Sequence, residues 1–243
     1  MEPSVKKEPL DGANFAIYVC EHHTFGTDAV LLSHFAQAKR SDILCDLGTG
    51  CGIIPFLMLR DGNLKSAVGV DISREAIDLV VKSRDELNLE RFSPICADIK
   101  EIGSKLPAGK FTLVTCNPPY KAQGAGIVNR DDIDRAARHE TLCSLDDILC
   151  AASKLLTFGG RLCMCHRPER LAELMDKMRK NKIEPKKLRL VCQRAGEEPW
   201  LVLVEGRRGG NTGLRILPSL YVERNGELSE EMLDIYGCYK KER

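Results

Sequence analysis

A glycine-rich turn, Asp46-Leu47-Gly48-Thr49-Gly50-Cys51-Gly52, joins a short apolar stretch, Ile43 to Cys45, to an apolar segment from Ile53 to Leu59. Pro55 falls in the first turn of that second segment, where a helix loses little from a missing N–H. The order is therefore strand, glycine turn, helix, the opening of a parallel α/β sheet. Glycines allow strained dihedrals and a close approach of backbone to ligand. Their spacing is G-x-G-x-G, whereas the dinucleotide fingerprint is G-x-G-x-x-G, so a nicotinamide site fits poorly. No Lys-Ser or Lys-Thr pair follows, which excludes a P-loop.

The same unit repeats. Periodicity predicts strands near 42–46, 66–71 and 92–97 and helices near 53–61 and 74–87, the second helix placing Ile77, Val80 and Val81 on one face. Asp71 ends the second strand, nineteen positions beyond Gly52, where an acid can accept both hydroxyls of a ribose. Asp98 follows the third run, Phe92 to Ala97. A helix cap or an exposed charge is the alternative role for each of these acids. A fourth apolar run, Phe111 to Cys116, leads directly into Asn117-Pro118-Pro119-Tyr120. Asn-Pro also favours a plain turn after a strand.

With 243 residues the chain has length for one domain and a sizeable core. Hydrophobic content of 43% suits a soluble protein, and no apolar run approaches the ~20 residues of a membrane span. Residues 1–10 are charged and lack a signal-peptide core. Eleven cysteines raise the question of disulfides, but Cys45, Cys96, Cys116, Cys163 and Cys192 sit in strand-like stretches, where a thiol behaves as a small hydrophobe. No CxxC occurs, only Cys163-Met164-Cys165, so no metal is expected. The odd count and the missing signal point to a reducing cytoplasm. Net charge is +1, from 36 basic and 35 acidic residues, which does not announce a nucleic-acid partner. Between Arg161 and Arg208, however, thirteen Lys or Arg face seven Asp or Glu. Lys177, Arg179, Lys180, Lys182, Lys186, Lys187 and Arg189 are the densest part, either a solvated helix end and turn or a phosphate-contacting patch.

Residues 1–12 read as polar and mobile. Phe15 to Cys20 has strand character, and Thr27 or Asp28 can cap a helix running to about Ala38. The segment 121–141, with Arg130, Arg135, Arg138 and His139, is polar and long, which suits a substrate-side element better than a linker. Beyond it come a helix over 145–156, a fifth strand from Gly159-Gly160 to about Cys165, and a helix from Pro168 carrying Leu171, Leu174, Met175 and Met178. Strands near 187–193 and 199–205 form a closing hairpin. The expected organisation is an N-terminal segment of strand plus helix (1–40), a core (41–208) and a C-terminal extension packed on it (209–243).

An Asn-Pro-Pro-Tyr at the end of a buried strand resembles the active-site loop of S-adenosylmethionine-dependent methyltransferases that modify a planar nitrogen. An exocyclic amine such as adenine N6 is a poor nucleophile, because its lone pair is delocalised into the ring. The Asn117 oxygen and the Pro118 carbonyl can each accept one of its N–H bonds, aligning the nitrogen with an incoming methyl and steadying the charge that develops. Pro118 and Pro119 fix φ and hold that carbonyl outward. Tyr120 offers a face for a stacked base. Together with Phe25-Gly26-Thr27-Asp28-Ala29-Val30-Leu31-Leu32, the glycine turn and Ala137-Arg138-His139-Glu140, the pattern over about residues 14–236 resembles the bacterial valine-tRNA adenine-N6-methyltransferases, which act at tRNA position 37.

That resemblance implies a Rossmann-like, seven-stranded methyltransferase fold, α/β and mostly parallel with one antiparallel strand. It implies contacts to S-adenosylmethionine from Gly26, Thr27, Asp28, Asp46, Gly48, Gly50, Gly52, Asp71, Ile72, Asp98, Ile99 and Asn117. Asp46 would orient the methionine end, and Asp98 would receive the adenine amino group, with Ile99 packing the ring. Catalysis would fall to Asn117, Pro118, Pro119 and Tyr120, and contact with a tRNA substrate to Tyr120, Arg138 and His139. The loop is shared by glutamine-N5 methyltransferases of release factors and guanine-N2 methyltransferases of ribosomal RNA. Their extra helical or duplicated domains have no counterpart here. A module that holds cofactor or RNA without turnover is the non-enzymatic alternative.

Overall fold

In the computed structural model, which describes residues 4–11, 14–118 and 143–237, the repeated apolar runs form the strands of one sheet. The strands are β1 (Lys6–Asp11), β2 (Phe15–Val19), β3 (Ile43–Leu47), β4 (Ser66–Asp71), β5 (Phe92–Cys96), β6 (Phe111–Cys116), β7 (Leu156–His166), β8 (Ile183–Cys192), β9 (Pro199–Arg208), β10 (Arg215–Ile216), β11 (Leu220–Tyr221), β12 (Glu223–Arg224) and β13 (Glu227–Leu228). The helices are α1 (Thr27–Phe35), α2 (Ile53–Arg60), α3 (Arg74–Glu86), α4 (Ile102–Lys105), α5 (Leu145–Leu155), α6 (Leu171–Lys180) and α7 (Glu230–Tyr236). The sheet order is β10-β8-β9-β7-β6-β3-β4-β5, with β11 also on β8. From β8 to β5 this is the expected seven-stranded core, antiparallel only where β9 lies between β7 and β8. The short β10 and β11, both parallel to β8, extend it to nine strands.

Strand pleating divides the core between the two faces. Leu44, Leu113, Cys163, Leu201 and Leu203 pack with α1, α2 and α7 on one side. Cys45, Val114, Leu162, Val202 and Val204 pack with α5 and α6 on the other. Local chemistry sets several helix starts. Ser73 caps α3 by accepting from the Ala76 N–H, and Ser144 and Asp147 form a reciprocal capping box at α5. Leu174 and Met178 of α6 are fully buried, as their spacing predicts.

Three sequence expectations change. Residues 6–11 are β1, paired antiparallel with β2, because Leu10 is fully buried and its carbonyl accepts from the Arg60 guanidinium. Neither Thr27 nor Asp28 caps α1: Gly26 is the cap residue, makes no side-chain bond, and the helix stops at Phe35 before Gln37 turns to φ 43°. On α3, Leu79 and Ser83 join Ile77 and Val80 in the interior while Val81 is half-buried, since the Ser83 hydroxyl accepts from the Tyr18 N–H of β2.

Candidate active site at the carboxyl ends of the strands

Register brings the site together. Leu47 is level with Val70 on one side and with Cys116 on the other, and Cys116 is level with Met164. The next residue of each strand therefore lies in one row along the carboxyl edge: Gly48, Asp71, Asn117 and Cys165. In open parallel sheets this edge is where ligands bind.

Asp46 lies beneath the glycine turn rather than on its surface. Its carboxylate is buried, with Oδ2 accepting from the Thr49 hydroxyl at 2.7 Å and Oδ1 from the Thr115 hydroxyl at 2.6 Å. Burial is the main reason its pKa rises to about 7, against the lowering effect of the two hydroxyls. Asp46 thus braces the turn from below. Above it, Gly50 adopts φ 54° and donates its N–H to Asp71 Oδ2 at 2.8 Å. A Cβ at Gly48 or Gly50 would meet nothing within 4 Å, so the turn presents bare backbone to open space. At Gly52 a Cβ would press on Phe56 at 2.9 Å and Val80 at 3.1 Å; that glycine serves packing.

Asp71 also accepts the Ser73 N–H at 2.9 Å through Oδ1. Each of its oxygens has a second lone pair, which suffices for a pair of ribose hydroxyls. Beside it Ile72 is 47% exposed, an apolar side chain left at the rim. Asp98 caps the 3-10 turn Ile99–Glu101 by accepting the Lys100 N–H at 2.8 Å, its other oxygen 3.6 Å from the Lys100 ammonium. Ile99 is half-buried. A bare glycine turn, a carboxylate with spare lone pairs and an exposed apolar side chain suit the methionine, ribose and adenine parts of S-adenosylmethionine in turn.

On the other side of the row, Asn117 Nδ2 donates to Asp28 Oδ2 at 3.1 Å, and Asn117 Oδ1 accepts from the Cys165 thiol at 2.9 Å. Pro118 is buried. Thr27 shares a 2.8 Å hydrogen bond with the Tyr236 hydroxyl. Pro119, Tyr120, Arg138 and His139, expected at the site from sequence, lie outside the described residues. Sequence reading missed the Asp28–Asn117 bond and the place of Cys165. The second had a signal: once β6 and β7 are parallel neighbours, the residue after Met164 falls beside the residue after Cys116.

The basic segment is elsewhere. Because β8 runs parallel to β7, the stretch from the end of α6 into β8 begins at the amino edge of the sheet, opposite the site. Five of its seven cations pair with acids within the protein: Lys177 with Asp146 and Glu173, Arg179 with Glu184, Lys180 with Asp176, Lys187 with Glu205, and Arg189 with Glu231. Lys186 donates to the carbonyl of Asn211. A separate cavity of about 240 Å³ lies between the C-terminal halves of α1 and α2, lined by Leu10, His34, Arg60 and Tyr236 among others, and includes none of the row Gly48, Asp71, Asn117 and Cys165. Among the described residues no cluster of His, Cys, Asp or Glu is arranged to hold a metal, all cysteines are free thiols, and no helix is long and apolar enough to cross a membrane.

This strand order, with a glycine turn after its first parallel strand and an acid at the end of the next, defines an S-adenosylmethionine-dependent methyltransferase fold. A crystal structure described as that of a predicted O-methyltransferase from Agrobacterium tumefaciens has the same fold, with a TM-score of 0.70 and 21% identity, covering 88% of this chain and 97% of that one. The chain belongs to the methyltransferase-domain family, whose model matches residues 38–208. It is similar to proteins named tRNA1(Val) (adenine(37)-N6)-methyltransferase. One, from Trichodesmium erythraeum, is 30% identical over 177 residues, covering 70% of this chain and 68% of the relative. Another, from a Flavobacteriaceae bacterium, is 26% identical over 140 residues, and that match spans 57% of each protein's length.

Proposed function

We propose that this chain methylates the exocyclic N6 amine of an adenine in tRNA, with position 37 of a valine tRNA as its target. The observation that carries the reading is the orientation of Asn117. Its amide nitrogen points to a carboxylate, so its oxygen is the atom available as an acceptor at the end of β6, in one row with the glycine turn. The names of the relatives supply the tRNA and the position. When bound, S-adenosylmethionine supplies an electrophilic methyl on its sulfonium sulfur.

The protein's part is to position and to stabilise. Asn117 Oδ1 and the Pro118 carbonyl accept the two N6 hydrogens, so the amine cannot rotate and its lone pair lies along one line. As the new N–C bond forms and positive charge grows on N6, the same two oxygens attract the hydrogens that carry it. The proton of the methylated nitrogen is then acidic enough to leave to water, so no strong base is needed. Asp71 holds the ribose hydroxyls, and the bare backbone at Gly48 and Gly50 admits the methionine end. Tyr120 stacks the base, while Arg138 and His139 act on the RNA side. Nucleotide 37 lies in a loop, from which a base leaves its stack at lower cost than from a duplex.

The test is incubation of purified protein with labelled S-adenosylmethionine and bulk tRNA lacking the modification, followed by nucleoside mass spectrometry. N6-methyladenosine mapped to position 37 of a valine tRNA is the expected product, and Asn117→Ala lowers turnover by ~10²-fold or more with cofactor affinity within a few-fold. Transfer to a release-factor glutamine or to ribosomal guanine instead overturns the substrate. Cofactor binding without any transfer overturns the enzymatic reading.

A further inference from the structure

We infer that Asp28 is a positioning residue that sets which end of the Asn117 amide faces the substrate, an inference that rests on Asn117 being the acceptor of the amine. The two ends of a carboxamide have nearly the same shape, so packing alone does not choose between them. In one orientation Asn117 presents an acceptor to the substrate N–H; flipped by 180°, it presents two donors to a donor. A carboxylate accepts only, so the Asp28 Oδ2 to Asn117 Nδ2 contact at 3.1 Å admits one orientation. The Cys165 thiol, donating to Asn117 Oδ1 at 2.9 Å, favours the same one.

Residues around Asp28 hold it to that task. Its second oxygen accepts the Ala29 N–H at 2.9 Å, which fixes the carboxylate across the first turn of α1. Gly26 leaves room for that rotamer, since a Cβ there would stand 2.8 Å from Asp28 Oδ1. The neighbouring Thr27 hydroxyl is tied to Tyr236 of α7 at 2.8 Å, so the start of α1 is anchored by the C-terminal helix. Segments outside the parallel core at both ends of the chain thereby converge on one catalytic amide. This gives Asp28 a different role from the cofactor contact implied by family resemblance.

The test is a polarity exchange. Asp28→Asn lets the Asn117 amide adopt either orientation, and Asn117→Asp alone sets two carboxylates against each other. In the double variant the amide introduced at position 28 donates to the carboxylate introduced at position 117. That restores the bond with its polarity reversed and leaves a carboxylate oxygen toward the substrate. Expected are kcat losses of ~10-fold or more in each single variant, recovery to within ~5-fold of wild type in the double, and cofactor affinity unchanged throughout, coupling of the kind seen only between residues in contact. Losses that multiply in the double variant, or a loss of S-adenosylhomocysteine affinity with kcat intact in Asp28→Asn, overturn the assignment. The side-chain amide ¹⁵N–¹H signal of Asn117, recorded without substrate, separates this failure from that of the function. A signal that moves on Asp28→Asn supports positioning even if wild-type protein leaves tRNA unmethylated, and an unmoved signal refutes it even if wild type is active.

Discussion

Replacement of Asp46 by Asn isolates the energetic consequence of a carboxylate buried under the glycine turn. In the folded protein its pKa is raised from 3.8 to about 7, chiefly by burial. A folded-state pKa above the unfolded one means the native state holds the proton more tightly, so stability is highest at low pH and falls as pH rises. The fall begins near 3.8 and is complete above about 7. At 1.36 kcal/mol per unit the full difference is about 4 kcal/mol, of which about 2 to 3 kcal/mol accrues between pH 5 and pH 8. An Asn at this position keeps one acceptor for a hydroxyl, and the other threonine hydroxyl can turn to accept from the amide, so both bonds survive without the charge. The assay is urea unfolding of wild type and Asp46→Asn at half-unit steps of pH, read as the difference between the two, in which other titrating groups cancel. The variant should gain on wild type by about 2 to 3 kcal/mol from pH 5 to pH 8. A flat difference, or one that moves the other way, would refute the burial argument. So would a variant less stable by a constant amount at every pH, which would mean the hydrogen bonds and not the charge dominate.

Gly50→Ala and Gly52→Ala should separate ligand approach from packing. The first places a side chain in open space at φ 54°, at a stability cost of about 1 kcal/mol, but lowers S-adenosylmethionine affinity more than tenfold in calorimetry. The second drives a methyl against Phe56 and Val80 at φ 80° and should cost about 2 to 4 kcal/mol in denaturant unfolding. Arg161→Met removes the buried cation that bonds Asp42 at 2.8 Å and the Ala36 carbonyl at 2.7 Å and lies 3.5 Å from Glu205. With two carboxylates left inside, it should lose about 3 to 5 kcal/mol, measured by the shift of the urea midpoint at constant slope.

What was legible in the sequence follows from the range of the interactions involved. The parallel core is written in apolar runs of strand length separated by helices of helical period, and β3 to β6 start and end within about two residues of expectation. The glycine turn and Asp71 are legible because a turn's conformation and a strand's end are local properties. β1 was not, since a charged hexapeptide becomes a strand only when β2 offers an edge and Leu10 a burial site. The two short strands on β8 are invisible for the same reason: two residues each carry no periodicity. Arg161, Asp42 and Glu205 form a buried charge group from three distant positions, and no spacing rule joins them.

Charge along the chain left two readings of the basic segment open, and the reason is geometric. A run of cations reads as a phosphate patch when only neighbours along the chain are considered, and the acids that neutralise Lys177, Lys187 and Arg189 lie at positions 146, 205 and 231. The amide of Asn117 is the converse case. Its position was plain from the strand and the prolines around it, but its chemistry depends on which way it points. That direction is set by partners 89 residues before it and 48 after it. A local motif therefore specifies where the acceptor stands, while the topology, by bringing α1 and β7 to the end of β6, specifies that it is an acceptor at all. If that assignment holds, Asn117 should tolerate exchange only together with Asp28, which the polarity-reversed pair measures directly.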